Sequence, residues 1–335
     1  MSRQNEGQAR ERVLVDGANG YLGTHLVAHL LEHGYQVRCL VRKSCAQNET
    51  ELLERLGAEV FRGDLTKDLD AAAEAFTDVE IAVHLIGSVA PRRGETFQQL
   101  HLDQTSCFAR LCQQAQVKQV VMISTLGAKQ EARSEYHRTK WQAESILRQS
   151  NLPVVFLRPS LLVGRTVGLR DSKLVNRYRL LIQSKRFVPL IDGGRNKIQP
   201  LFIADMVHAA RRAIEQHAGQ TGAAAPVFEL GGANVVSMAQ FVQALMDSMR
   251  IQKRLISIPP GLAKVLAIPA ELLQPTPTVS RDQVILATTD NICVQNDIWT
   301  HFQIEPQSLE LSLKTYEGRS SEENQVAPSL VGSDG

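Results

Sequence analysis

Two groups of residues in this chain have the types and the spacing to do chemistry. The first is Tyr136 with Lys140, in Tyr136-His137-Arg138-Thr139-Lys140. Four positions apart, they fall one turn apart on the same face of a helix. An ammonium beside a phenol favours the phenolate and prepares the hydroxyl to give or take a proton at a carbinol oxygen. Upstream, Ser124 leaves the end of the apolar run 118–123, where ligands bind in open α/β sheets, and its hydroxyl is placed to bond the same oxygen. The plain alternative is a Y-x-x-x-K on a solvated helix surface.

The second group is Gly17, Gly20 and Gly23, a G-x-x-G-x-x-G turn after Val13-Leu14-Val15. Leu22, Leu26, Leu30 and Leu31 follow at helical spacing. Glycine adopts such a turn at low cost, and a side chain at Gly20 would hold a bound pyrophosphate away from the backbone. The helix aims its unpaired N–H groups and positive dipole end at that phosphate. Strand, turn and helix together make this a dinucleotide-binding signature, with a merely structural βα turn as the alternative.

Strands are expected at 36–41, 58–61, 80–87, 118–123 and 152–157, with helices at 49–56, 70–76 and 96–116 and another beginning near Ser134. Apolar strands alternating with helices predict a parallel sheet covered on both faces. The fold class is α/β: a Rossmann-type doubly wound sheet over 12–158 and a smaller C-terminal α/β lobe over 159–316, some of whose segments complete the sheet. Residues 1–11 read as a flexible start and 317–335 as a disordered tail. Arg42 and Lys43 follow the second strand, where an acid would favour NAD and a cation favours the 2′-phosphate of NADP. NADP(H) is the expected cofactor, with NAD(H) as the alternative. Asp64 ends the third strand, placed to reach adenine or to act as a turn residue.

These motifs resemble an atypical branch of the short-chain dehydrogenase/reductase superfamily, with its epimerase/dehydratase-like members. Within it the chain is most similar to relatives of the NADPH-binding accessory subunit of respiratory complex I. The likeness runs from about residue 12 to 295. It includes Leu85-Ile86-Gly87, Ser124-Thr125-Leu126-Gly127-Ala128, Leu157-Arg158-Pro159-Ser160 and Gln199-Pro200-Leu201-Phe202-Ile203-Ala204-Asp205. Phe228-Glu229-Leu230-Gly231-Gly232, Arg281-Asp282-Gln283 and Asp290-Asn291 extend it. The resemblance implies that Gly17, Gly20 and Gly23, with Asn19, Tyr21 and Leu22 among them, hold the pyrophosphate. Arg42, with Lys43 beside it, would take the 2′-phosphate, and Asp64 and Leu65 the adenine. Tyr136 and Lys140 would lie at the nicotinamide ribose, Pro159 and Ser160 at the nicotinamide edge, and Gly87 along the cofactor. Catalytic relatives often carry an asparagine in the helix after strand four. Here that stretch reads Gln99-Leu100-His101-Leu102-Asp103-Gln104, with His101 either a substitute or a packing residue, which bears on turnover more than on cofactor binding.

In the second half, 171–184 reads as a helix with a solvated basic face, and Asp205 as a helix-capping carboxylate. The helix 237–249 carries a Met stripe of core type. Residues 259–273 are apolar with proline at both ends, a subdomain helix or a docking surface for membrane or protein. A net charge of +2 offers no footprint for nucleic acid, five cysteines lack metal-ligand spacing, and no run is long enough to span a membrane. A cytoplasmic protein is expected, with a place peripheral to an inner membrane as the alternative. Three functions remain: an oxidoreductase acting on a small carbonyl or alcohol, a non-catalytic NADPH-holding subunit or assembly factor of a respiratory complex, and a soluble NADPH redox sensor.

Overall fold

A computed structural model describes residues 10–91, 94–217, 225–273 and 279–317. Seven parallel strands form one sheet: β1 (Arg10–Asp16), β2 (Tyr35–Val41), β3 (Glu59–Arg62), β4 (Ile81–His84), β5 (Gln119–Ile123), β6 (Val154–Pro159) and a last strand, Val227–Leu230. From one edge the order is β3, β2, β1, β4, β5, β6 and the last strand. β1 pairs with both β2 and β4, so the winding reverses between β1 and β4 and opens a crevice at their carboxyl ends.

The central strands form because their side chains are apolar on both faces. β4 and β5 are buried throughout, which only a sheet with helices on each side allows. On one side lie α1 (Tyr21–Glu32) and α7 (Ile203–His217), with Leu26, Leu30, Met206, Ala210 and Ile214 in a common core. On the other, α3 (Leu69–Glu74), α4 (Gln104–Gln114) and α5 (Glu135–Gln149) bring Ala72, Phe108 and Leu147 together. α2 (Gln47–Leu56) links β2 to β3.

The C-terminal lobe does not stand apart. Val227–Leu230 extends the sheet beside β6, and α7 covers one of its faces. Its own core joins α6 (Lys173–Ser184) and α8 (Met238–Ser248) through Val175, Ile182, Phe241 and Leu245. Phe187–Ile191 pairs in parallel with Arg254–Ile258 alongside. There follow α9 (Pro260–Leu273), α10 (Arg281–Leu286), α11 (Asp297–Thr300) and α12 (Leu309–Lys314), whose Leu309 and Leu313 close that core.

Three expectations need correction. Arg10 and Glu11, read as part of a flexible start, belong to β1, where Arg10 pairs with Tyr35. The rest of that start, and the tail beyond Glu317, lie outside the described residues. The helix expected at 96–116 begins with a π-helical turn, Gln98–Asp103, whose wider winding carries Leu100 and His101 into the interior. Asp205 lies in the first turn of α7, where a carboxylate favours the helix dipole, but it does not cap the helix, because α7 starts earlier, at Ile203. Its buried Oδ2 instead accepts the Gln307 N–H at 2.8 Å, tying the C-terminal segment to α7.

Burial raises the Asp205 carboxyl to about 6, the Gln307 N–H only partly offsetting it. The folded state therefore binds more protons than the unfolded state between about pH 4 and 6, and stability falls as pH rises through that window. Asp205→Asn keeps an oxygen for Gln307 and should flatten this slope. Urea unfolding at pH 4.5 and 7 in both proteins measures it; equal pH dependence would show that Asp205 does not set it.

Candidate functional site

The crevice is built on the turn after β1. Gly17 has φ +59°, and a Cβ at Gly20 would stand 2.9 Å from the Gly17 carbonyl. A Cβ at Gly23 would come within 2.5 Å of the same oxygen, so the turn closes only on glycine. α1 starts on Gly20 with no side-chain cap and no acid in its first turn, which leaves its first amides to an anion. These features fit the pyrophosphate of a dinucleotide. Among the described residues no cluster of His, Cys, Asp or Glu is arranged to hold a metal.

Beneath this turn lies Asp16, fully buried and not anticipated from the sequence. Its Oδ1 accepts the N–H groups of Leu85 and Ile86 at 2.5 and 3.0 Å, and Oδ2 bonds His84 Nδ1. The carboxylate thus joins the end of β1 to the exit of β4 and holds the loop leading to Gly87. His84 Nε2 lies 2.9 Å from the Thr105 hydroxyl, which donates to the His101 carbonyl. One sequence signal was available: an acid and a histidine each end a short apolar run, Val13-Leu14-Val15 and Ile81-Ala82-Val83.

Tyr136 and Lys140 come together with this loop on α5. The α5 N-terminus is held twice. Ser134 Oγ accepts the His137 N–H, while Asp282 of α10 accepts the N–H groups of Glu135 at 2.7 Å and Tyr136 at 3.3 Å. Asp282 also accepts from the Ser134 hydroxyl at 2.8 Å. Burial raises the Tyr136 phenol above its usual value, and a hydrogen bond from Thr125 partly lowers it. Lys140 does not supply the expected lowering, since its buried ammonium donates to the Ile123 carbonyl at 2.9 Å. Burial pulls Lys140 down to about 8, against the support of Glu144 and Asp16.

Ser124 also departs from expectation. Its hydroxyl donates to Glu144 Oε1, and Glu144 is paired bidentately with Arg158 at 2.7 and 2.9 Å. The hydroxyl that acts on the phenol is that of its neighbour Thr125, which also donates to the Leu126 carbonyl at 3.3 Å, because successive residues leaving a strand point to opposite sides. His101 stands where the resemblance places asparagine. Its Nδ1 bonds Thr139 at 2.8 Å, its Nε2 accepts the Ser88 N–H at 3.4 Å, and its ring meets Tyr136 edge-on at 5.6 Å. Burial, with Lys140 and His84 nearby, lowers it to about 2, so it is neutral. A Cβ on Gly87 would sit 3.5 Å from Lys140 Nζ and 3.6 Å from His101 Nε2, which places Gly87 in this cluster.

At the adenosine end, Arg42 pairs with Glu95 at 3.3 Å and Lys43 with Asp68. Asp64 Oδ1 accepts from the Thr66 N–H and hydroxyl and from the Lys67 N–H, a turn-forming role. Burial pushes its carboxyl up, but those bonds and Arg42 outweigh it and leave it lowered. Leu65, expected at the adenine, has its side chain fully buried in the core, so only its backbone is left for the crevice. Asn19 Nδ2 donates to Glu49 at 2.8 Å, and the Tyr21 hydroxyl donates to the Gly164 carbonyl. Pro159 ends β6, and the Ser160 hydroxyl donates to Asn291 Oδ1 at 2.7 Å.

A family model described as NAD(P)H-binding matches residues 17–175. The mitochondrial NADH dehydrogenase [ubiquinone] 1 alpha subcomplex subunit 9 of Arabidopsis thaliana is 25% identical over 292 residues, 84% of this chain and 71% of the subunit. A 4-hydroxy-2-methyl-3-oxo-4-farnesyl-3,4-dihydroquinoline-1-oxide ketoreductase of Stigmatella aurantiaca is 24% identical over 276 residues, 76% of this chain and 78% of the enzyme. Among solved structures, a UDP-glucose 4-epimerase of Thermotoga maritima superposes with a TM-score of 0.69 at 18% identity, covering 91% of this chain and 96% of that one. It shows the same fold.

The Asp282 carboxylate satisfies two N-terminal amides of α5 from outside that helix. Asp282→Ala should cost about 1–2 kcal/mol, the scale of a lost cap with a favourable dipole contact. Denaturant unfolding measures the loss; an unchanged midpoint would show that solvent replaces the carboxylate without cost.

Proposed function

The chain being an NAD(P)-binding atypical short-chain dehydrogenase/reductase related to the complex I accessory subunit, we propose that it is an NADP(H)-dependent oxidoreductase acting on a small carbonyl or alcohol. The observation that carries this reading is the Tyr136 phenol, with His101 edge-on at 5.6 Å, Thr125 beside it and a buried lysine one helical turn away, at the switch-point crevice. The bound nicotinamide would supply or accept the hydride. The raised phenol is protonated at neutral pH and serves as the proton donor to a carbonyl oxygen. Thr125, already at the phenol, orients that oxygen and the phenolate left behind. Neutral His101 holds the Thr139 hydroxyl and the Ser88 amide, fixing the loop beside Lys140.

The basic end of β2 supports NADP(H). Arg42 and Lys43 pair with single carboxylates, and a 2′-phosphate offers more charge and more acceptor oxygens than either. No acid immediately follows β2 to select the free ribose hydroxyls of NAD. A second reading has its own support. The subunit-9 relative spans most of this chain, and Ser124 is held by Glu144 away from the phenol, which suits an NADPH-holding subunit of a respiratory complex with little turnover. The oxidoreductase reading places the protein in the cytoplasm, and the subunit reading at the face of an inner membrane.

The nucleotide released on denaturing the purified protein, followed by NADPH oxidation with a carbonyl panel, separates the two. Tightly held NADPH that no carbonyl oxidises would favour the subunit. Arg42→Ala should weaken NADPH binding by about tenfold or more and NADH binding little, the loss of one charge-assisted contact; equal losses would remove Arg42 from the 2′-phosphate. In turnover, Thr125→Val should lower kcat by about a hundredfold, and Ser124→Ala only a few-fold. The reverse order would restore Ser124 to the site.

A further inference from the structure

α9 turns its apolar side chains outward. Of its 14 residues only Ala263 and Ala267 are buried. Leu262, Val265, Leu266, Ile268, Leu272 and Leu273 are between 43% and 76% exposed. Two alanines four positions apart give a narrow seam against the lobe and leave the large aliphatic side chains on the rest of the circumference. Ile256, on the strand that feeds α9, and Phe187, paired opposite Arg254 on its neighbour, are each 39% exposed. An exposed apolar surface of this kind marks an interaction site.

Charge says which kind. Between Asp247 and Glu271 the chain carries Arg250, Lys253, Arg254 and Lys264 and no acid. Glu271 itself is engaged by Arg281, through the backbone N–H at 2.6 Å and Nε at 2.9 Å. We propose that α9 is an interfacial anchor that lies on an anionic lipid surface, its aliphatic side chains at the acyl boundary and the nearby cations among the headgroups. A second copy on the same face would bring like cations together across a two-fold axis. Protein interfaces draw on aromatic anchors, and α9 has none. Its length of about 21 Å falls short of a bilayer core of about 30 Å. No helix among the described residues is long and apolar enough to cross a membrane, so α9 lies along the surface.

The anchor also joins the site. Glu271 holds Arg281, and the next residue, Asp282, caps the helix that carries Tyr136. The inference goes beyond the oxidoreductase reading and requires neither turnover nor bound dinucleotide.

Vesicle flotation of the full chain tests it, with phosphatidylcholine alone against a mixture containing about 30% phosphatidylglycerol. The full chain should float with the anionic vesicles at low salt, about tenfold less with the neutral ones, and less at high salt. Val265→Glu with Leu266→Glu should cut partitioning by about tenfold or more, and Lys264→Glu with Arg254→Glu should remove the preference for anionic vesicles. All four positions are exposed, so melting temperature and dinucleotide titration should not move. Absence of flotation, or flotation unchanged by the Val265/Leu266 variant, overturns the proposal. So does a concentration-dependent dimer abolished by that variant without vesicle binding, which would make α9 a self-association face.

Discussion

The Asp16 carboxylate is the constraint on which the site depends. A fully buried charge survives only with its lone pairs filled, and here two amides and His84 fill them. All three partners come from the end of β4, so the carboxylate fixes the spacing of β1 and β4 at the point where the sheet reverses. The glycine turn is built on one side of that fixed point, and the Leu85–Gly87 loop on the other. Lys140 and His101 pack against Gly87, and His84 reaches through Thr105 to the His101 backbone. The glycine turn and the Tyr136–Lys140 cluster thus share one buried anchor.

A second set of ties runs from the C-terminal half back over this frame. The segment after Val163 crosses the start of α1: Gly164 takes the Tyr21 hydroxyl, and the amides of Thr166 and Val167 both donate to His25 Nε2. Arg170 then grips Glu49, which also holds Asn19 of the glycine turn. Tyr316 closes the same region by donating to Asp171 and accepting from the Gly164 amide. Burial on both sides of Tyr21 pushes its phenol well up, as expected of a hydroxyl used for structure. The lobe therefore shapes the crevice from above and shares a sheet and a core with the nucleotide-binding half.

The sequence carried the parts of this arrangement that depend on local pattern. Apolar strands and the glycine spacing sufficed for the sheet and its crevice, and Tyr136-x-x-x-Lys140 for a pair on one helix face. What it did not carry depends on which way side chains point after a strand ends. Ser124 and Thr125 are both hydroxyl residues at the same strand end, and only the exit geometry of β5 sends one to Glu144 and the other to the phenol. Asp64 and Leu65 were read together, yet one oxygen of Asp64 makes a turn and the Leu65 side chain enters the core. Asp205 looked like a cap because it stands near the start of a helix, and only the long-range approach of Gln307 reveals its partner. Asp282 was matched as part of a pattern, and its contact with α5 gives that pattern a physical reason.

Burial of Tyr136 and Lys140 together also bears on the direction of chemistry. Each is displaced toward its neutral form, the phenol upward and the ammonium down to about 8, so the resting pair near neutral pH is a protonated phenol beside a weakly held cation. Thr125 is the group that partly offsets the phenol's rise, and Glu144 and Asp16 are the groups that support the ammonium, so each is set by its own surroundings. On the proposed oxidoreductase reading, such a site would favour donating a proton to a carbonyl oxygen over removing one from an alcohol. Glu144 and Asp16 keep Lys140 from losing its charge altogether. The buried carboxylate that positions the crevice thus also helps maintain the cation that lies one helical turn from Tyr136.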